Sequence, residues 1–264
     1  MTRAILSTRW QVSIAVLAIG TIGLPGQPAL AQDASDGWTL DVTSYGWLTA
    51  MNGTVGAGST RAPVDISFTD TIETVDSILA FSGHVEAKRG PVALFIDGFW
   101  TRLGVDDVTI GSGRADVTAT SALVELGGAY RLMDRGYDAR QPGGWSLEAL
   151  GGGRYTYLDT KIDVQNGRSA DSKAEWVDPF VGLRLRLALA PRWDVSLRGD
   201  IGGWGIGSQF TWNVQALVGY RFTLVGKEAT ALIGYRALSQ DFASAKLVWD
   251  MTLHGPVIGL NLRF

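Results

Sequence analysis

Ionisable side chains recur on one face of the alternating segments of this chain, and their types define the chemistry open to it. Asp41, Glu86, Asp97, Glu125, Glu148, Asp200 and Asp250 share the polar face of alternating segments with Arg131, Arg154, Arg184, Arg186, Arg198, Arg221, Arg236 and Arg263. Carboxylates and guanidiniums in near balance point to ion pairing, since the planar fork of arginine satisfies several acceptors at once. If that face is enclosed, an unpaired ion is costly, so the two signs should interleave and hydrogen-bond to each other. Two histidines complete the titratable set, His84 and His254. Ser82-Gly83-His84 places a hydroxyl two residues from an imidazole on one face of a strand, the residue types of a nucleophile and its base. Spacing supplies no third, orienting residue, and a histidine hydrogen-bonded into the Asp/Arg set is the competing reading. Asp65, Asp70, Glu73 and Asp76 have the ligand chemistry of a calcium site, but their spacing fits no EF-hand loop. Gly151-Gly152-Gly153 precedes no helix signal, so it reads as a kink or bulge in a strand and not as a phosphate cradle. No cysteine is present to make a disulfide or a thiolate metal site, and no motif requires a cofactor or a metal.

The elements that must position these groups are strands. Period-two alternation gives about ten (range eight to twelve), over 38–50, 78–89, 92–103, 116–132, 145–160, 176–189, 193–205, 209–222, 229–238 and 246–264. Val181, Leu183, Leu185, Leu187 and Leu189 fall on one face of the sixth, and Arg184 and Arg186 on the other. The intervals 51–77 and 161–175 read as long loops at one end of the strands. In the first of them Asp70 and Glu73 resemble a helix-capping pair. With Ile72, Val75 and Asp76 they predict a short helix at the mouth. At His254-Gly255-Pro256 the apolar parity changes, from Trp249, Met251 and Leu253 to Ile258, Leu260 and Leu262, which predicts a bulge.

The 34 glycines and 10 tryptophans among 264 residues suit a curved sheet with aromatic girdles at two membrane boundaries. Trp38, Tyr130, Trp145, Trp193, Phe222 and Phe264 fall at one set of strand ends. Trp47, Trp100, Tyr157, Trp176, Trp204, Trp212 and Trp249 fall at the other. Residues 1–31 read as a cleaved secretory signal. Arg3 and Arg9 precede an apolar run, and Ala29-Leu30-Ala31 fits a small-x-small cleavage site ahead of Gln32. No later stretch approaches the ~18 apolar residues of a membrane helix, and residues 32–264 read as one domain. The formal charge of −3, with no basic cluster, argues against nucleic acid as a partner.

The closing strand, with Gly259, Leu262 and terminal Phe264, resembles the assembly signal of Gram-negative outer-membrane β-barrels, although Val257 and Ile258 replace the polar residue expected before the glycine. Four further blocks carry the likeness: Trp176–Arg184, Leu197–Gly203, Val218–Phe222 and Met251–Pro256. Together they make the chain similar to the small outer-membrane barrels of proteobacteria, within a porin-like branch. The resemblance implies an all-β, closed, antiparallel transmembrane barrel, monomeric, in contact with outer-membrane lipid and inserted by the barrel-assembly machinery. It carries no catalytic residues. The leading expectation is therefore a porin-like or structural barrel, not an enzyme, with a narrow charged lumen more plug than pore. The rivals are a lipid A-modifying or protease-like enzyme using His84 and His254, and a surface-binding barrel acting through its external loops.

Overall fold

Alternation of apolar and polar residues commits nearly the whole chain to extended backbone, because successive side chains then leave on opposite faces. The computed structural model describes residues 37–57, 60–67, 77–110, 113–137, 141–164, 168–244 and 247–264. The expected signal over 1–31 and the mouth helix of Asp70, Ile72, Glu73, Val75 and Asp76 lie outside the described residues. The strand segments are β1 (Thr39–Trp47), β2 (Ala50–Ala57), β3 (Thr60–Ile66), β4 (Ser77–Arg89), β5 (Val92–Ile110) and β6 (Gly113–Arg135). They continue as β7 (Trp145–Val164), β8 (Arg168–Ala190), β9 (Trp193–Gly203), β10 (Phe210–Leu224), β11 (Lys227–Ala243) and β12 (Val248–Arg263).

The strands pair antiparallel, and β1 closes the ring by pairing with both β4 and β12. β1 and β2 are one barrel strand. Both follow β12 in a single register, with Trp47 opposite Val257 and Ala50 opposite His254, and the Leu48 N–H donates to the Pro256 carbonyl across the gap. β3 folds back on β2, and the barrel proper has ten strands. Hydrogen-bonded neighbours followed round the ring from Asp41 run through Glu86, Phe95, Gly127, Gly152, Phe180, Gly202, Thr211, Gln240 and Met251. They return to the first strand at Gly53, twelve residues further along. That stagger tilts the strands by roughly 40° and leaves an interior that side chains can fill.

The burial pattern is inside-out relative to a water-soluble sheet. Leu126 is 67% exposed and Ile258 66%, whereas Glu125 and Arg154 are wholly buried. Phe81, Trp100, Trp204, Phe210 and Tyr235 border the exposed apolar belt at one end, and Trp38, Tyr130, Trp193 and Phe264 at the other. Such a belt between aromatic girdles is the outer surface of a membrane barrel.

Four local expectations are corrected. The register passes through Gly151–Gly153 without a shift, and the nearby irregularity lies at Arg131/Met133. A Cβ on Gly127 would stand 2.6 Å from the Phe95 ring, and one on Gly152 would stand 2.7 Å from Gly127 Cα, so these glycines make room for an inward aromatic. His254-Gly255-Pro256 contains no bulge, because β12 keeps one register with both neighbours. The interval 161–175 is not a loop: β7 and β8 run on as a paired ribbon from Lys161↔Asp171 to Val164↔Arg168. β2 and β3 likewise occupy most of the first expected loop.

One turn carries measurable strain. Val225 and Gly226 join β10 to β11 with φ of 48° and 74°. Two positive φ values suit the twist of a tight hairpin, but a β-branched residue adopts that region poorly. Val225 is 94% exposed and has no packing to lose. Val225→Asn is therefore expected to stabilise the barrel by about 0.5–1 kcal/mol, read from urea unfolding in lipid vesicles.

Candidate functional site

Strand parity turns the charged residues into the lumen, and the stagger decides which of them meet. Glu125 on β6 is the centre. Its Oε1 accepts Arg154 Nε at 2.9 Å and Arg236 Nη2 at 2.9 Å, and its Oε2 accepts Arg198 Nη2 at 2.8 Å. Asp200 accepts Arg154 Nη2 at 2.7 Å, Arg198 Nε at 2.9 Å and Asn213 Nδ2 at 2.8 Å. Asp97 accepts Arg236 Nη1 at 3.1 Å and the Tyr45 hydroxyl at 2.9 Å. Arg154 Nη1 donates to Thr211 Oγ1 at 3.2 Å. Aromatic faces cover the guanidiniums: Phe180 lies under Arg154 at 5.0 Å and under Arg198 at 5.4 Å, and Trp47 lies under Arg236 at 4.9 Å.

A second tier lies nearer the chain termini. Glu86 accepts Arg184 Nη1 at 2.5 Å, Arg186 Nη2 at 2.8 Å and Lys88 Nζ at 2.9 Å. Arg184 Nε also donates to Glu148 at 2.6 Å. Asp41 accepts Lys88 Nζ at 2.7 Å and Arg263 Nε at 2.8 Å, and Arg263 reaches Glu228 at 2.8 Å. His84 stands between the tiers, with Nδ1 3.3 Å from Asp97 and Nε2 3.6 Å from Glu86.

Each tier balances its own charge. The first sets Asp97, Glu125 and Asp200 against Arg154, Arg198 and Arg236; the second sets Asp41, Glu86, Glu148 and Glu228 against Lys88, Arg184, Arg186 and Arg263. Balanced tiers leave no single-sign ring of the kind that selects ions in a pore. Toward the far end the filling changes character. Asp178 accepts Trp176 Nε1 at 3.1 Å, Gln240 Nε2 at 2.9 Å and the backbone and hydroxyl of Ser208 at 2.6 and 2.8 Å, which pins the β9–β10 turn. Beside it Trp176 stacks on Phe242 at 4.1 Å. Trp47, Phe99, Leu123, Leu238, Met251, Leu253 and Val257 form a buried apolar layer.

Most of the sequence-derived residues meet in these tiers, and some do not. Asp250 is exposed on the outward face of β12. Arg131 pairs with Asp134 at 3.0 Å, and Arg221 with Asp194 at 3.1 Å, both apart from the tiers. His254 also points outward. Tyr235 Oη lies 2.6 Å from its Nδ1, and Asn52 Oδ1 lies 2.6 Å from its Nε2. The two histidines therefore occupy opposite faces of the wall. Ser82 Oγ donates to the Tyr45 carbonyl, and both His84 nitrogens face carboxylates, so this hydroxyl has no imidazole base. No group of three metal-ligating side chains occurs among the described residues. Trp47 and Trp176 are buried inside, and Trp249 packs against the same layer, so these three do not join the far girdle. Sequence reasoning missed Lys88, Asp178, Asp194 and Tyr45. Asp178 had the inward parity of Arg184 but sat beside Pro179 in a stretch valued for its aromatics.

No protein-family model and no curated protein matches the chain. Solved structures do. The outer membrane protease OmpT of Escherichia coli superposes with a TM-score of 0.54 at 10% identity, covering 88% of this chain and 98% of that one. The fold is that of an outer-membrane β-barrel. The attachment invasion locus protein Ail of Yersinia pestis is similar at a TM-score of 0.40 and 11% identity, covering 87% of this chain and 99% of that one. The translocator domain of the autotransporter NalP from Neisseria meningitidis gives 0.40 at 13%, covering 88% and 90%. At such identities the likeness is one of backbone path, and the chemistry of this barrel must come from its own side chains.

The tiers make a sharp contrast testable. Arg236→Met leaves Asp97 and Glu125, which face each other across β5 and β6, without their shared counter-ion. The expected loss is about 3–5 kcal/mol. Asp250→Ala, on the outer face, should change stability by less than about 0.5 kcal/mol. Urea midpoints of the two variants in vesicles check both.

Proposed function

We propose that this outer-membrane barrel is sealed, and that it serves as a structural or surface barrel acting through its external rim. One observation carries the reading: Glu125 and Arg236 sit on diametrically opposite strands of the ten and are hydrogen-bonded at 2.9 Å, so the lumen is spanned at that height. Glu125 and Arg154 retain no exposed surface there. Each of the ten barrel strands supplies a residue to the two tiers, β10 through Thr211 and Asn213.

The rim supports the same reading. β6 and β8 each run 23 residues, where a tilted strand needs only about 9–11 to cross, so a β5–β8 wall stands well above the β9–β10 turn. The proposed partners are membrane lipid along the exposed belt and the barrel-assembly machinery reading Gly259, Leu262 and Phe264. A single copy closes its own ring and presents no unpaired spanning strand, which supports a monomer.

Planar-bilayer recording and liposome swelling with sugars test the proposal. The natural chain should give no stepwise conductance and no swelling, whereas Glu125→Ala combined with Arg154→Ala should produce a leak. Steady conductance through the natural chain at neutral pH would overturn it.

A further inference from the structure

The rim nearer the chain termini carries charge of one sign, outside both ion tiers. Four hairpin turns lie there, and each bears one exposed cation: Arg89 at β4–β5, Arg135 at β6–β7, Arg192 at β8–β9 and Lys227 at β10–β11. None of the four forms an ion pair among the described residues. The side-chain carboxylates described beside them are already engaged, Asp134 with Arg131 at 3.0 Å, Glu228 with Arg263 at 2.8 Å and Asp194 with Arg221 at 3.1 Å. The opposite rim is of mixed sign, with exposed Asp171, Glu175, Asp241 and Asp250 among Arg102, Lys161 and Lys173.

Position identifies what this charge faces. Strand parity puts Arg89 on the outward side with Val85, Arg135 with Met133 and Lys227 with Ile233. Arg192 leans outward as well, donating from Nη1 to the Tyr220 hydroxyl at 3.3 Å beside the Trp193–Tyr220 ring pair. Lys227 Nζ lies 5.0 Å over the Phe264 ring. The cations thus stand in the girdle itself, at the level where headgroups meet hydrocarbon. Each also has an exposed apolar neighbour: Val92 opposite Arg89, Leu224 opposite Lys227, Met133 two residues before Arg135 and Leu189 ahead of Arg192. A ligand that suits all four turns needs a negative group with hydrocarbon next to it. Nucleic acid and peptidoglycan, both polar polymers, supply the first without the second.

We propose that this rim binds anionic phospholipid of the periplasmic leaflet, one phosphate-bearing headgroup at each turn, with its acyl chains along the adjoining apolar belt. Short turns mark the periplasmic side of such barrels, and basic residues at a membrane surface attract anionic lipid. The contacts lie outside the lumen, so the assignment stands whether or not the tiers seal the barrel.

The test is native mass spectrometry of the full-length barrel released from vesicles that hold phosphatidylglycerol and phosphatidylcholine in equal amounts, with identical acyl chains. Retained phosphatidylglycerol should exceed phosphatidylcholine by at least about threefold. Arg89→Gln, Arg135→Gln, Arg192→Gln and Lys227→Gln combined should bring the ratio near parity. Arg102→Gln, Lys161→Gln and Lys173→Gln combined, on the opposite rim, should leave it unchanged. If the fourfold variant does not fold, the Arg89 with Arg135 pair and the Arg192 with Lys227 pair should each lower the ratio by part of that amount. Four results would each overturn the proposal: equal retention of the two lipids by the natural chain, enrichment that survives loss of the four cations, equal loss in the opposite-rim variant, or cosedimentation with isolated peptidoglycan that the fourfold variant loses while its lipid ratio stays the same.

Discussion

Arg236 settles a conflict that the sheet itself creates. Register places Asp97 directly across from Glu125 on adjacent strands, and like charges so placed repel. Nothing on β5 or β6 neutralises both. The guanidinium that does so reaches from the opposite wall, donating to Asp97 at 3.1 Å, to Glu125 at 2.9 Å and to Asn213 at 3.1 Å. Its planar fork allows three differently placed acceptors, which an ammonium on a flexible stem would satisfy less well. The β5–β6 seam thus depends on a residue more than a hundred positions later in the chain.

From that contact the rest of the filling follows. Arg154 and Arg198 share Glu125 and Asp200, and Phe180 and Trp47 give the guanidiniums apolar faces that exclude water. Water exclusion strengthens every ion pair and makes each one costly to break singly. The barrel then carries two kinds of interior in sequence, balanced ions toward the termini and an apolar layer toward the far end, with Trp47 touching both. The proposed sealed barrel rests on this succession, since a channel needs a continuous wet wall.

Much of the fold was legible in the sequence, because a spanning strand has a strict period of two and ends in turn residues. The leucines from Val181 to Leu189 and the arginines between them lie on the expected faces, and ten strands close as counted. Parity also found most members of both tiers. It failed where its premise failed, namely that apolar means outward. At the far end the interior is itself apolar, so parity places Trp249, Met251 and Leu253 on the membrane side and His254 and Asp250 in the lumen, and predicts a bulge that β12 does not contain. Pairing across the barrel was not legible at all. It depends on the twelve-residue stagger, which no single strand records, and that stagger brings Arg236 to Glu125.

The central claim is that side chains, not water, occupy the lumen at the level of Arg154. Because the chain has no cysteine, one introduced thiol reports on that level without background. Thr211 is fully buried beside Arg154, and cysteine is close to it in size. In folded barrels in sealed vesicles, Thr211→Cys should resist a water-soluble maleimide added on both sides, while Asp241→Cys at the exposed rim reacts completely. Labelling of the two thiols at similar rates would show a wet passage through the tiers and contradict the account.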